Sequence, residues 1–150
     1  MRLGAMKVHW IFLLVAIVTG ILYAPILGNY FLNDDFGRIL QLKPLQEESI
    51  PEAFSILFSR AFNSYYRPLT YVSFFLLYKS SALAPFTYYL SSVVFHILAS
   101  MAFCSVARAL SEEIASVEFR WIAALATFFF VVHPRQVESV SYIHDNENVL

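Results

Sequence analysis

The sequence has little charge and almost no cysteine. Only 14% of its 150 residues are Asp, Glu, Lys or Arg, against about a quarter in an ordinary soluble domain. Its formal net charge is -1, so the chain lacks the basic excess that nucleic-acid binding needs. The single cysteine, Cys104, excludes an intrachain disulfide and any multi-cysteine metal site. It sits inside an apolar run and reads as a packing residue. His133 and His144 are too widely spaced for a zinc signature. What the chain has is apolar mass: 59% hydrophobic residues, with 15 Phe and 9 Tyr and a positive mean hydropathy. That composition belongs to a membrane protein with aromatic interface belts.

The reading is an all-α integral membrane protein with about three transmembrane helices. Residues 8–33 carry no charged side chain, and their core is "WIFLLVAIVTGILYAPILG" (10–28). At 1.5 Å per residue this just crosses a hydrocarbon layer of about 30 Å. Arg2 and Lys7 precede it and acids follow it. The excess of positive charge on the inner side then places the N-terminus in the cytoplasm. The run is long for a signal-peptide core and lacks a small-x-small cleavage site, so it reads as an uncleaved anchor over about 9–29. A second uncharged stretch, 80–107, contains "PFTYYLSSVVFHILASMAFCSVA" (85–107) and gives a span over about 85–108. Its Ser91, Ser92, Ala99, Ser100 and Ala102 suit close helix approach. His96, near its middle, is either functional or an imidazole bonded to a neighbouring helix.

Two shorter runs are ambiguous. "WIAALATFFFVV" (121–132) becomes a span if extended back to Ile114, since Glu118 and Arg120 then lie near its end, where Arg can snorkel. "PLTYVSFFLLY" (68–78) can span only by burying Lys79, at roughly 2.5–3.5 kcal/mol near mid-membrane. It therefore reads as part of an amphipathic helix, 66–82, along the membrane surface, its aromatics at headgroup depth. The expected topology has spans at 9–29, 85–108 and 114–132, a large external loop over 30–84 with juxtamembrane helices, and a second external loop from 133.

This topology gathers polar residues on one side. The first loop supplies the pair Asp34 and Asp35, with Arg38, Arg60, Tyr66 and Arg67. The second supplies "HPRQVESVSYIHDNEN" (133–148). On a helix begun at Pro134, residues Arg135, Glu138, Tyr142 and Asp145 share one face, and Val137 and Val140 point elsewhere. Two adjacent carboxylates near a bilayer repel, which raises a pKa unless a cation compensates. Such a group can act as general base toward a hydroxyl, and nearby arginines can grip a phosphate. Asp34 and Asp35 can equally be caps of a helix starting near Phe36, and the second-loop face an ordinary solvated one.

The order of "NDD", "YRPLT" and "HPxxxExV", with "PFTYYLSSVVFHIL" between, resembles the N-terminal part of GT-C superfamily membrane glycosyltransferases. The resemblance is nearest to the O-mannosyltransferase-like group with tetratricopeptide repeats, and covers essentially the whole chain. It implies an acidic residue of the first external loop that activates an acceptor hydroxyl: Asp34, assisted by Asp35. It implies substrate-binding roles for Arg67, His133 and Glu138, to which the shared helix face adds Arg135 and Tyr142. The donor implied is a polyprenyl-phosphate sugar, the acceptor a hydroxyl on protein or glycan. No cofactor is certain; a divalent metal beside the acids is compatible. The place implied is a bacterial inner membrane or an endoplasmic reticulum membrane, with the active side away from the cytoplasm. The family often has a Gly-Arg pair shortly after the second-loop Glu, where this chain has "HDNEN". The chain lacks repeats of about 34 residues and reads as a fragment that is inactive alone. The alternative is a small non-catalytic membrane protein whose acids set topology and cap helices.

Overall fold

The computed structural model describes residues 8–32, 35–59, 66–113 and 117–143. Among them all regular structure is helical: α1 (Val8–Tyr23), a 3-10 turn (Ala24–Gly28), α2 (Asp35–Leu40), a second 3-10 turn (Lys43–Gln46), α3 (Ile50–Leu57), α4 (Pro68–Ser81), α5 (Pro85–Glu113), α6 (Val117–Val132) and α7 (Pro134–Ser141). Prolines set many of the boundaries. Pro25 has no N–H to continue the ladder of α1, and the chain tightens into the 3-10 turn. Pro51, Pro68, Pro85 and Pro134 stand in the first turns of α3, α4, α5 and α7, where a missing N–H costs nothing. Pro134 also pushes His133 into extended backbone, which ends α6.

Among the described residues, two helical stretches are long and apolar enough to cross a membrane: Trp10–Gly28, of 19 residues, and Pro85–Ser111, of 27. The third expected span is different. The apolar part of α6 is the shorter Ile122–Val132, and residues 114–116, needed to lengthen it, lie outside the described residues. α6 packs along α5, and α1 packs against both. Leu13, Leu14, Ile17 and Ile21 of α1 and Leu98, Val106 and Leu110 of α5 face outward, as side chains in lipid do. Of the small residues expected to admit a neighbour, Ser92 and Ser100 are fully buried, Ser91 and Ala99 are half-buried and Ala102 is exposed; Cys104 is buried as a packing residue.

Residues 35–59 and 66–81 form a helical layer folded over the start of α5. Its core unites Ile39, Leu42, Leu45, Ala53 and Leu57 with Tyr71, Phe74, Phe75 and Tyr78 of α4 and Tyr88 and Tyr89 of α5. Within the helix expected over 66–82, Pro68–Ser81 forms, and most of its aromatics are covered by protein. Tyr71, Phe74, Phe75 and Tyr78 are protein core, and Tyr66 is exposed. Lys79, whose charge argues against a span, has a local use. Its ammonium donates to the Glu48 carbonyl at 3.0 Å and lies 5.3 Å from the centre of the Phe75 ring, tying α4 to the loop before α3. That loop is braced by Glu52, whose carboxylate accepts from the Ser49 hydroxyl at 2.7 Å and backbone N–H at 3.2 Å. These two bonds, the hydroxyl's first, hold the Glu52 carboxyl below its usual range.

The α4–α5 connection is a tight turn, closed by the Ala84 N–H on the Ser81 carbonyl at 3.1 Å. Ala82 sits at its second position with φ 50° and ψ -121°, a conformation that favours glycine there. An L side chain at positive φ costs about 1–2 kcal/mol, and glycine's added unfolded-state freedom takes back about 0.5–1 kcal/mol. Ala82→Gly is therefore expected to be neutral to slightly stabilising, and Ala82→Val destabilising by more than ~1 kcal/mol. Thermal unfolding of both variants in detergent checks this; a valine as stable as the glycine would contradict the turn.

Candidate functional site

Tyr88 and Tyr89, adjacent in sequence, are both fully buried at the start of α5. A buried phenol needs a hydrogen-bond partner, and each finds one in a different loop. The Tyr88 hydroxyl donates to the Ala82 carbonyl at 2.8 Å, and its ring meets Phe31 and Phe74 edge-on. The Tyr89 hydroxyl donates to the Tyr30 carbonyl at 2.8 Å, so the strand of chain leaving α1 is fastened to α5 just before the acidic pair.

Asp35 opens α2 and is 0% exposed. Its carboxylate accepts the Leu32 N–H at 3.3 Å, while its own N–H donates to the Leu32 carbonyl at 3.0 Å. The negative charge also acts on the nearby Tyr89 phenol. Asp35 thus closes the loop back on itself and sits in the Tyr89 corner, not at an open surface. Asp34, its expected catalytic neighbour, and Arg60 lie outside the described residues.

Helix α7 reaches the same end of the bundle. Val140 is fully buried against Tyr23 and Val93, and Ile143 enters the core that holds Tyr88, Tyr89 and Ile39. His133 caps the helix, its Nδ1 accepting the Arg135 N–H at 3.1 Å. The Arg135 guanidinium donates to Glu138 Oε2 at 3.0 Å, with the side chains 71% and 52% exposed. Such an open pair is worth at most about 1 kcal/mol, so both groups are free to exchange partners.

Of the expected shared face, Arg135 and Glu138 are in contact, and Tyr142 follows as the C-cap of α7, its N–H donating to the Glu138 carbonyl at 3.0 Å. α7 ends at Ser141, and Tyr142 is extended, with φ -100° and ψ 114°. It is half-buried, and Asp145 and His144 lie outside the described residues. Val137 is exposed while Val140 is buried, so the two valines that were set aside together part company. Arg67 is the residue before Pro68 at the head of α4, half-buried, and its carbonyl accepts the Tyr71 N–H at 3.3 Å. Among the described residues no three His, Cys, Asp or Glu gather into a group that could hold a metal ion. The sequence reading missed Tyr88 and Tyr89, because two tyrosines in an apolar run look like span residues; only their adjacency at a helix start hinted at anchoring.

The fold and its polar end define a helical membrane protein with loop residues gathered over the start of one span. Its sequence is 30% identical over 139 residues to the human protein O-mannosyl-transferase TMTC3, a match covering 86% of this chain and 14% of the human protein. The mouse protein of the same name is 31% identical over 121 residues, covering 74% of this chain and 12% of its own length. The chain is related to these O-mannosyl-transferases and spans about a seventh of their length or less. No family model matches, and no solved structure matches.

Removing the Tyr89 hydroxyl leaves the Tyr30 carbonyl without its donor. Tyr89→Phe is expected to cost about 1 kcal/mol and to speed amide exchange at residues 29–32 selectively. Hydrogen exchange read by mass spectrometry checks it; unchanged exchange there would contradict the fastening role.

Proposed function

We propose that this chain is the acceptor-activating part of an integral-membrane glycosyltransferase of the GT-C type. The observation that carries the reading is the relationship to protein O-mannosyl-transferases. The site geometry supports it: the segment entering the acidic pair is held on α5, and α7, with its exposed Arg135 and Glu138, packs at the same end.

In this reading the end bearing both loops faces away from the cytoplasm, in a bacterial inner membrane or an endoplasmic reticulum membrane. Asp34 takes the proton from an acceptor hydroxyl on protein or glycan. The freed oxygen attacks the anomeric carbon of the donor sugar, and the polyprenyl phosphate leaves with the bonding electrons. Asp35, buried and bonded to Leu32, positions its neighbour. Arg135 is the cation that meets the donor phosphate, with Arg67, His133, Glu138 and Tyr142 as further substrate-binding residues. Arg135 reaches a phosphate by leaving Glu138, a cheap exchange for an exposed pair.

The buried, loop-closing role of Asp35 is also what a purely structural acid pair would show. One substitution separates the readings. Asp34→Asn keeps the shape and still accepts a hydrogen bond, but an amide takes up no proton at neutral pH. In the complete enzyme it is expected to lower transfer by roughly 10²–10⁴-fold while insertion and expression stay normal. The measurement is transfer of a labelled sugar from a polyprenyl-phosphate donor in membranes. Near-normal turnover would remove Asp34 as the base and favour the non-catalytic alternative.

A further inference from the structure

Among the described residues, two fully buried side-chain polar atoms have no hydrogen-bond partner, Thr19 Oγ1 on α1 and His96 Nδ1 on α5. Neither belongs to the site above, and each is out of pattern. Ser92, Ser100 and Ser105 of α5 and Thr127 of α6 all donate to the carbonyl four residues back, the usual way a hydroxyl is satisfied inside a helix. Thr19 does not.

The tautomer of His96 follows from its other nitrogen. Nε2 faces the Val131 carbonyl at 3.4 Å. That carbonyl is in the last turn of α6, where Pro134 has no N–H and the Arg135 N–H is given to His133. A carbonyl only accepts, so Nε2 carries the proton and Nδ1 is a bare acceptor. Thr19, on the neighbouring helix, holds an unused hydroxyl. It lies one turn from Tyr23 on the same face of α1, and the Tyr23 ring meets the His96 ring edge-on at 5.3 Å. Phe130 stacks on the imidazole's other side, at 5.7 Å.

We propose that Thr19 and His96 bind a buried water molecule within the membrane-spanning bundle. The water accepts from the Thr19 hydroxyl and donates to His96 Nδ1, giving the polar contacts that a buried water requires. The resulting chain, Thr19 to water to His96 to the Val131 carbonyl, joins α1, α5 and the end of α6. It fixes the register of the first span against the helix from which α7 hangs, so His96 is a positioning residue. This hydration site stands whether or not the chain serves a transferase.

The test is magic-angle-spinning NMR of the full chain, labelled with ¹⁵N-histidine, in lipid bilayers, with His96 assigned by the signal lost in His96→Gln. A water-proton cross-peak to His96 Nδ1 is expected, kept in Thr19→Ser and lost in Thr19→Val. Absence of the cross-peak in the parent chain, or its persistence in Thr19→Val, would overturn the proposal. Thermal midpoints give an independent reading: Thr19→Val with His96→Leu should lower the midpoint by less than the sum of the single shifts. Additive shifts would count against a shared water.

Discussion

The two phenol hydrogen bonds at the head of α5 are the constraint on which the polar end of this protein depends. A tyrosine hydroxyl buried without a partner is costly, and here two consecutive ones are buried together. Their carbonyl partners lie in the α4–α5 turn and in the segment leaving α1. The first fixes how α4 returns to α5. The second fixes where the acidic segment begins. Satisfying both draws residues 35–59 and 66–81 down as a layer over the α5 start, where Phe31, Phe74 and Ile39 complete the packing.

The same end is tied to the span interior from below. The Tyr23 ring links α1 to His96, and Val140 of α7 closes on Tyr23 and Val93. Phe103 stacks on Phe130 at 4.9 Å, holding α6 against α5 one further step along. Lipid supplies no hydrophobic drive between apolar helices, so this packing and the polar bonds at His96 carry their association. Loop geometry and span register are therefore one problem: shifting α5 against α1 displaces the Tyr89 anchor and the α7 seat together.

Much of this was legible in sequence. Uncharged run length gave α1 and α5, because only the backbone-satisfied helix survives in hydrocarbon. Pro134 marked a real helix start, whereas Pro25, read as lying inside the first span, ends α1 in a 3-10 turn. His96 did prove to bond a neighbouring helix. The α4 aromatics were harder, because a stripe of Tyr and Phe fits lipid headgroups and a protein core equally; periodicity says that a face is apolar, not what covers it. Helical spacing reached Tyr142, the C-cap of α7, but not the fact that the helix stops there. The length of α6 was ambiguous for the physical reason that its apolar part is short and its charged flank can snorkel. Arg135 and Glu138 were found by spacing, and their openness to solvent was not.

The central claim is that the segment carrying the acidic pair and helix α7 share one end of the bundle. Its most direct test is the distance between nitroxides at Tyr30→Cys and Val137→Cys, in a Cys104→Ser background, by double electron–electron resonance in bilayers. Both positions are exposed, at 84% and 50%. The account predicts a narrow distribution well short of the hydrocarbon thickness of about 30 Å. A separation at or beyond that thickness would place the two loops on opposite sides and contradict it.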